Sequence, residues 1–236
     1  MGTDIHSVGQ VKINGKWVTL LQDVAGDNRN YDTFAQLADV RNGRGFAGTP
    51  TGGGFAPITY PKGLPEDFET VNGDHHIDAN IPTGEDFSWA DVDYLEKREK
   101  EKLMAKDVYM GDHSFSWHLL SDLKAYAKKV KSKGTTKTGC ISEEEYKKIR
   151  STGGWPDLWS GASFGPNQVT IDMDEYDRLE KLGELPKKQI NVQYTWKINY
   201  LDTGYLPKII SELEQLGKKH GAKSDDDVRY VFGFDS

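Results

Sequence analysis

Cysteine is almost absent from this chain of 236 residues, which contains only Cys140. A disulfide framework needs pairs of cysteines, and a cysteine-rich metal site needs several of them close together. Both kinds of site are therefore excluded. The composition is that of a protein from a reducing cytoplasm.

Long apolar runs and an excess of positive charge are also missing. No segment is apolar over enough residues to span a bilayer. The N-terminal stretch MGTDIHSVGQ carries Asp4 where a signal peptide requires a basic start and an apolar core. Lysine and arginine number 30 against 37 aspartates and glutamates, which gives a net charge of −7. We therefore expect a cytoplasmic protein whose partners include neither duplex nucleic acid nor a membrane.

The residue patterns predict strands at both ends of the chain and helices between them. Asn14-Gly15 lies between two alternating apolar stretches and is typical of a tight hairpin. Alternating apolar residues predict a late strand over 189–201 and a last strand over 227–236. Helical spacing of apolar residues or capping signals predict helices over 30–43, 116–130, 142–150, 172–183 and 206–217.

These elements together indicate an α+β fold. We expect a central mixed or antiparallel sheet formed by the N-terminal hairpin, the late strand and the C-terminal strand, flanked by helices and joined by long loops. No internal repeat is evident, so the whole chain 1–236 is assigned to a single domain. Residues 58–110 read as an insertion or peripheral arm, because the 66–107 stretch is acidic, polar and weakly periodic.

The stretch RNGRGFAG contains the glycine spacing of a dinucleotide-binding loop, at Gly43, Gly45 and Gly48. That motif requires a strand before the glycines and a helix after them. Here a predicted helix precedes the glycines and Thr49-Pro50 follows, so this interpretation is rejected. Two alternatives stay open. Gly43 ends a helix before a plain loop, or the backbone N–H groups bind an anion with help from Arg41 or Arg44.

Two other polar stretches contain residues suited to chemistry. Asp4 and His6 are two positions apart, so both side chains lie on one face of a strand and can reach the same site. The stretch GDHSFSW places His113, Ser114 and Ser116 directly before the predicted helix that starts near Trp117. A helix N-terminus favours an anion, and simple capping of that helix is the alternative.

Several motifs together resemble a family of proteins from tailed phages and prophages. The motifs are MGTDIH, NYDTFAQLADVRNGRGFAG, GFAPITYPKGLPED, HSFSW and DVRYVFGFDS, and they span the chain from end to end. Members of that family typically begin Met-Gly-Cys-Asp-Ile-His, whereas this chain has Thr3 in place of the cysteine. The resemblance implies a phage accessory protein in the cytoplasm of an infected bacterium. It implies no particular reaction.

The motif positions are dominated by polar residues and glycine, which is typical of a polar pocket. We expect this pocket to bind a small anionic ligand, most plausibly a nucleotide or a nucleotide-derived host immune signal, as in counter-defence. The expected ligand-binding residues are Asn30, Asp32, Arg41, Asn42, Gly43, Arg44, Gly45, Ser114, Ser116 and Trp117.

Two other functions stay open. The first is a metal-dependent or histidine-based phosphoesterase or other hydrolase, in which Asp4, His6 and His113 are catalytic or bind a divalent metal. The second is a protein that inhibits a host factor through its surface, using the acidic 66–107 segment. A homo-oligomer is compatible with all three.

Overall fold

The structure is a computed structural model that describes residues 2–26, 29–43, 54–68, 70–71, 76–78, 107–157 and 165–235. The elements in chain order are β1 (Asp4–Ile13), β2 (Lys16–Gln22), α1 (Tyr31–Ala38), β3 (Thr70–Val71), β4 (His76–Asp78), β5 (Asp107–Tyr109), β6 (His113–Leu119), α2 (Leu120–Val130), β7 (Gly134–Ser142), α3 (Glu143–Thr152), β8 (Gln168–Asp172), α4 (Met173–Leu182), β9 (Gln189–Asn199), α5 (Leu206–Lys219) and β10 (Val228–Asp235). The α+β class is confirmed.

The chain divides into two compact units. Unit 1 combines Met1–Ser132 with Tyr200–Ser236, and unit 2 is the intervening segment Lys133–Asn199. The sequence patterns had indicated one domain, with an insertion at 58–110. Much of that stretch lies outside the described residues, and the inserted unit that the structure describes is 133–199.

Unit 1 is built on a four-stranded sheet with the strand order β2-β1-β10-β6, in which every neighbouring pair is antiparallel. The predicted hairpin is confirmed, because Asn14 and Gly15 adopt the positive φ angles of 50° and 81° that its turn requires. The C-terminal strand β10 lies at the centre, between β1 and β6. Its positions from Val228 to Phe234 are buried on both faces, which explains why this stretch is apolar apart from Arg229.

One face of this sheet carries the main core and the other carries a smaller cluster. Helices α1, α2 and α5 supply Phe34, Leu123 and Leu213 to the main core, which also contains Ile5 and Phe234 from the sheet. The smaller cluster is formed by Val8, Val108, Met110 and Val231, and partly buried residues of 54–68 pack against it. We call the two sides the helix face and the outer face.

Two details of the predicted sheet are wrong. The late strand β9 belongs to unit 2, and the fourth strand of the unit 1 sheet is β6 instead. His113–Leu119 forms that strand, so the following helix begins at Leu120 and not near Trp117. His113, Ser114 and Ser116 therefore do not lie at a helix N-terminus.

Strands β3, β4 and β5 form a separate antiparallel sheet in unit 1.

Unit 2 has a three-stranded sheet of order β7-β9-β8, in which β9 is antiparallel to β7 and parallel to β8. Each edge strand runs straight into a helix, and Ser142 and Asp172 cap the two helices with their side chains. The helices contact each other reciprocally. Tyr146 donates to Asp177 at 3.1 Å, and Tyr176 donates to Glu143 at 2.8 Å.

Candidate functional site

The polar motif residues meet at one end of the unit 1 sheet, where β1 and β6 begin and β10 ends. Asp4 is paired with Asp235 and His6 with Gly233 across β1 and β10. On the other side of β10, Phe234 is paired with His113 of β6. Three segments that are distant in sequence therefore converge at this strand end.

His6 and Asp235 form a hydrogen-bonded pair on the outer face. The distance from His6 Nε2 to Asp235 Oδ2 is 2.9 Å, and the two side chains are 19% and 30% exposed. The other carboxylate oxygen, Oδ1, accepts from the backbone N–H of Asp4 at 3.1 Å. Because a carboxylate accepts, Nε2 carries a proton, and in a neutral ring Nδ1 is then the acceptor nitrogen. Asp235 thus fixes both the orientation and the tautomer of His6.

Asp4 is held by Arg29, which immediately precedes the N-cap of α1. The guanidinium group donates from Nε and Nη2 to the two carboxylate oxygens of Asp4, at 2.5 Å and 2.8 Å. This bidentate contact lowers the pKa of Asp4, so the carboxylate stays ionised at neutral pH. The Arg29 side chain is nevertheless 62% exposed. Its positive charge is therefore fixed in position and open to solvent.

A second arginine, Arg41, contacts Thr3, the residue directly before β1. Arg41 donates from Nε and Nη2 to the hydroxyl oxygen of Thr3, at 3.0 Å and 2.8 Å. Thr3 is fully buried. The two arginines flank α1, one before it and one after it, so this helix ties both of them to the start of β1. The expected role of Arg41 in anion binding is not tested by these contacts.

Tyr109 and Asp112 complete the outer side of the strand end. The Tyr109 ring lies edge-on to the His6 ring, with 4.8 Å between the centroids. Burial raises the pKa of Tyr109, and the charges of Asp112 and Asp235 raise it further. Both carboxylates therefore lie within electrostatic range of the phenol group. Asp112 also anchors the end of β10, since its N–H donates to the Phe234 carbonyl at 2.7 Å.

Two glycines allow the close approach of the chains at this end. A Cβ atom at Gly233 would lie 2.1 Å from the Met110 carbonyl oxygen and 2.5 Å from the Phe115 ring. Gly111 has a φ of +88°, and a Cβ atom there would lie 2.4 Å from the Phe234 carbonyl oxygen. Glycine at both positions therefore allows the chains to approach each other this closely.

His113 lies on the opposite face of the sheet from His6. Its ring stacks on Phe234, a residue of the main core, at 6.1 Å between centroids. Its Nδ1 lies 3.0 Å from the hydroxyl oxygen of Ser114. No group of three or more His, Cys, Asp or Glu side chains within the described residues is placed to hold a metal ion. The structure thus does not gather Asp4, His6 and His113 into the three-ligand set that the sequence suggested.

Two of the expected ligand-binding residues make structural hydrogen bonds. Asn30 caps α1 by accepting from the Thr33 N–H at 2.8 Å, and it donates to the Thr203 carbonyl at 3.1 Å. Asn42 donates to the Phe55 carbonyl at 2.6 Å and accepts from the Phe55 N–H at 2.7 Å. Both amides therefore connect segments of the chain.

Of the other residues expected to bind a ligand in or near the glycine loop, the structure describes Asp32 and Gly43. Asp32 is buried in the first turn of α1, where a negative charge is favourable. Gly43 has a φ of +66° and its Cβ position faces Gly54 at 3.5 Å. The helix itself ends earlier, with Asp39 in the left-handed conformation as its C-cap. Arg44 and Gly45 lie outside the described residues, so the anion-binding interpretation of 43–48 stays a prediction.

The remaining β6 residues do not share one site. Ser116 is fully buried, and its hydroxyl oxygen has no hydrogen-bond partner within the described residues. Trp117 lies on the outer face, where the ammonium group of Lys62 sits 3.4 Å from the ring centroid. Ser114 takes a φ of +53° at the irregular end of the β6–β10 pairing. The helix start expected near Trp117 is wrong, because this segment is a strand, and ligand binding by these three residues stays a prediction.

Three residues that build the strand end are not evident from local sequence. Asp235 meets His6 through the pairing of β1 with β10, whereas Tyr109 of β5 and Arg29 reach this end through tertiary contacts. Asp235 belongs to the motif DVRYVFGFDS, and an acidic residue directly after an apolar stretch could have indicated a site at the strand end.

The chain matches no protein-family model, no curated protein and no solved structure. Among the described residues, no helix is long and apolar enough to cross a membrane.

Proposed function

We propose that the strand end formed by Asp4, His6 and Asp235 binds a small anionic molecule of the nucleotide class. The observation that carries this proposal is the fixed, solvent-facing guanidinium of Arg29 beside the His6–Asp235 pair. Exposed ion pairs contribute little to stability. The bidentate contact of Arg29 with Asp4 instead holds the guanidinium group in a defined orientation, so that its charge is presented beside His6 and Asp235.

The groups of this strand end offer a ligand one permanent positive charge and several hydrogen-bond acceptors. Arg29 supplies a permanent positive charge that is oriented by Asp4 and lies within electrostatic range of Asp235. His6 adds a second positive charge when it is protonated. The carboxylates of Asp235 and Asp112 accept hydrogen bonds, which suits the hydroxyl groups of a ribose. In the phage setting that the resemblance implies, the ligand would be a nucleotide signal of host defence.

The test is calorimetric titration with AMP, GMP, CMP, UMP and inorganic phosphate. Replacing Arg29 with Gln removes a charge-assisted contact, so we expect affinity for each bound nucleotide to fall by roughly ten- to a hundredfold. The matched control is Arg178→Gln. Arg178 also makes an exposed bidentate pair, with Glu175 at 2.7 Å for both contacts, but it belongs to unit 2.

The result is decisive in either direction. Weaker binding by Arg29→Gln together with unchanged binding by Arg178→Gln supports the proposal. Equal affinity of both variants and the wild type places the anion elsewhere and overturns it. Failure of every compound in the panel to bind the wild type also overturns it.

A second function, acid–base catalysis on the bound molecule, is favoured by the geometry of His6 and Asp235. A histidine oriented by a carboxylate is the usual arrangement of a general base. With Nε2 protonated, Nδ1 can take the proton of a water molecule that attacks the phosphorus of a phosphate ester, and it can return that proton to the alcohol oxygen that leaves as the ester P–O bond breaks. The Asp235 carboxylate then stabilises the charged ring.

Turnover and binding respond differently to the loss of His6. If the protein is an enzyme, His6→Ala lowers the hydrolysis rate by roughly 10²- to 10⁴-fold, and nucleotide affinity changes much less. Product formation is followed by ³¹P NMR on cyclic and linear nucleotides. If the wild type forms no product and His6→Ala weakens binding, the protein is a binder only and the catalytic alternative is discarded.

A further inference from the structure

Five side chains form an unbroken row of contacts along the outer side of the strand end. The Tyr109 ring meets the His6 ring at 4.8 Å, and His6 meets Asp235 at 2.9 Å. Asp235 accepts from the backbone of Asp4, whose carboxylate binds Arg29. The row therefore has an aromatic ring at one end and a fixed guanidinium group at the other.

Tyr109 is a large aromatic side chain that the fold holds partly in solvent. It is 37% exposed, whereas its neighbours Val108 and Met110 are 1% and 0% exposed. Both neighbours pack into the cluster of the outer face with Val8 and Val231. Because the flanking residues are buried, the backbone that carries the Tyr109 ring is anchored on either side. An exposed ring on an anchored backbone is a suitable stacking surface.

A carboxylate acceptor follows the ring in the row, because His6 contacts the Tyr109 ring on one side and Asp235 on the other. Asp112 and Asp235 both act electrostatically on the phenol group of Tyr109. Asp112 is 51% exposed, so it can accept a hydrogen bond from a ligand. A molecule that extends from Tyr109 toward Arg29 thus meets an aromatic surface, then carboxylate acceptors, then a positive charge. The order of groups in a nucleoside monophosphate is the same: base, ribose hydroxyls and phosphate.

We propose that Tyr109 is the residue that stacks on the base of a bound nucleoside phosphate while Arg29 holds the phosphate. This inference rests on the proposed function and adds the part of the ligand that determines specificity. It requires the ligand to contain an aromatic ring. A sugar phosphate without a base would contact only the Arg29 end of the row.

The experiment compares AMP with ribose 5-phosphate by calorimetric titration. Stacking of one base on an aromatic side chain corresponds to roughly a five- to hundredfold gain in affinity. We expect the wild type to prefer AMP by such a factor. Tyr109→Ala should remove the preference by weakening AMP binding alone, and Tyr109→Phe should keep it. Trp155→Ala is the matched control, because Trp155 is also an exposed aromatic residue, at 52%, and belongs to unit 2.

Folding of the variants is checked by circular dichroism, and Tyr109→Leu replaces Tyr109→Ala if the smaller side chain destabilises the strand. Equal affinity of the wild type for AMP and ribose 5-phosphate overturns the inference. A preference for AMP that survives in Tyr109→Leu also overturns it. If ribose 5-phosphate binding still depends on Arg29 in either case, the proposed function stands and only the role of Tyr109 is lost.

Discussion

At the scale of single residues, His118 shows how burial fixes a protonation state. It is 1% exposed, and its Nε2 lies 3.0 Å from the carbonyl oxygen of Leu37 at the end of α1. A carbonyl only accepts, so Nε2 donates. Burial lowers the pKa of His118 to about 4, despite the hydrogen bond to Leu37. At neutral pH His118 therefore joins β6 to α1 as a neutral ring.

This state makes stability depend on pH. Between the unfolded pKa near 6.5 and the folded pKa of about 4, the unfolded chain binds the extra proton. The contribution of His118 is thus complete above pH 6.5 and falls as the pH is lowered toward 4. We expect the wild type to lose about 2 kcal/mol more than His118→Gln between pH 7 and pH 5. Urea unfolding at the two pH values measures this, and parallel losses would contradict it.

Gly233 gives a second prediction at this scale. Ala at this position must displace the Met110 carbonyl or the Phe115 ring, so we expect a loss of about 2 to 3 kcal/mol. Gly134→Ala is the control, because the nearest atom to its Cβ position is 3.8 Å away and its φ is not positive. Chemical denaturation of both variants is the measurement. A Gly233→Ala protein as stable as Gly134→Ala would contradict the packing described for the strand end.

Only part of the site could be predicted from local sequence. The alternation of a strand was enough to place Asp4 and His6 on one face, and the structure has them both in β1. Their partners Arg29 and Asp235 lie 25 residues and 229 residues away in the chain. Pairing over such distances depends on the strand order β2-β1-β10-β6 and not on a local pattern. Asn30 and Asn42 were expected to bind a ligand because they are polar residues in a motif, but their side chains form hydrogen bonds within the protein.

At the scale of elements, β6 shows why helix starts are hard to predict. The stretch HSFSWHLLSDLKAYAKKV fits a helical stripe from Leu119 onward, and Ser116 resembles an N-cap. The backbone N–H and C=O groups of 113–119 instead find partners on β10. Partnering by a strand at the other end of the chain is not visible in the sequence of 113–119. Asp122 then marks the helix start by accepting from the Leu119 N–H at 3.1 Å.

Arg229 connects several elements on the outer face. It is 3% exposed, donates to Gln10 of β1 at 2.8 Å, and bonds to Asp67 of the 54–68 segment at 2.9 Å. Its guanidinium carbon lies 4.3 Å from the ring centroid of Trp17 and 5.9 Å from that of Trp117. This single side chain thus ties the 54–68 segment and three strands together.

Removing this connection should be costly. Arg229→Met leaves the buried amide oxygen of Gln10 without its donor, so we expect a loss of about 2 kcal/mol. Arg229→Lys should lose a similar amount, because lysine cannot form the same fork or stack between the rings. The exposed Arg178→Met in unit 2 should change stability little. Thermal and urea unfolding of the three variants test this, and a fully stable Arg229→Lys protein would refute it.

At the scale of the whole molecule, unit 2 is an insertion in the sequence of unit 1, and the two ends of the insertion lie close together in space. Gly134 at its start is the strand partner of Asn199 at its end. Unit 2 contains two similar strand-helix segments, β7-α3 and β8-α4, which were not recognised as a repeat from the sequence. Ser142, Tyr146 and Ile149 recur in the same spacing as Asp172, Tyr176 and Leu179, and the two helices contact each other through Tyr146 and Tyr176. The repeated residues differ in type at most positions, so composition and spacing alone gave a weak signal.

The inserted arrangement predicts that unit 1 folds without unit 2. Because paired strand residues lie about 5 Å apart, a short Gly-Ser linker can replace 134–199. We expect the shortened chain to keep cooperative unfolding and the same nucleotide affinity, since Arg29, His6, Asp235 and Tyr109 all belong to unit 1. Circular dichroism and calorimetry measure both properties. Loss of binding in a folded shortened chain would show that unit 2 contributes to the site.

Whether a nucleotide binds at the strand end is decided by a crystal structure determined from crystals grown with saturating AMP. We expect phosphate density within hydrogen-bonding distance of Arg29, on the side of the strand end that carries His6 and Asp235. AMP bound at any other place, with no density beside Arg29, would contradict it.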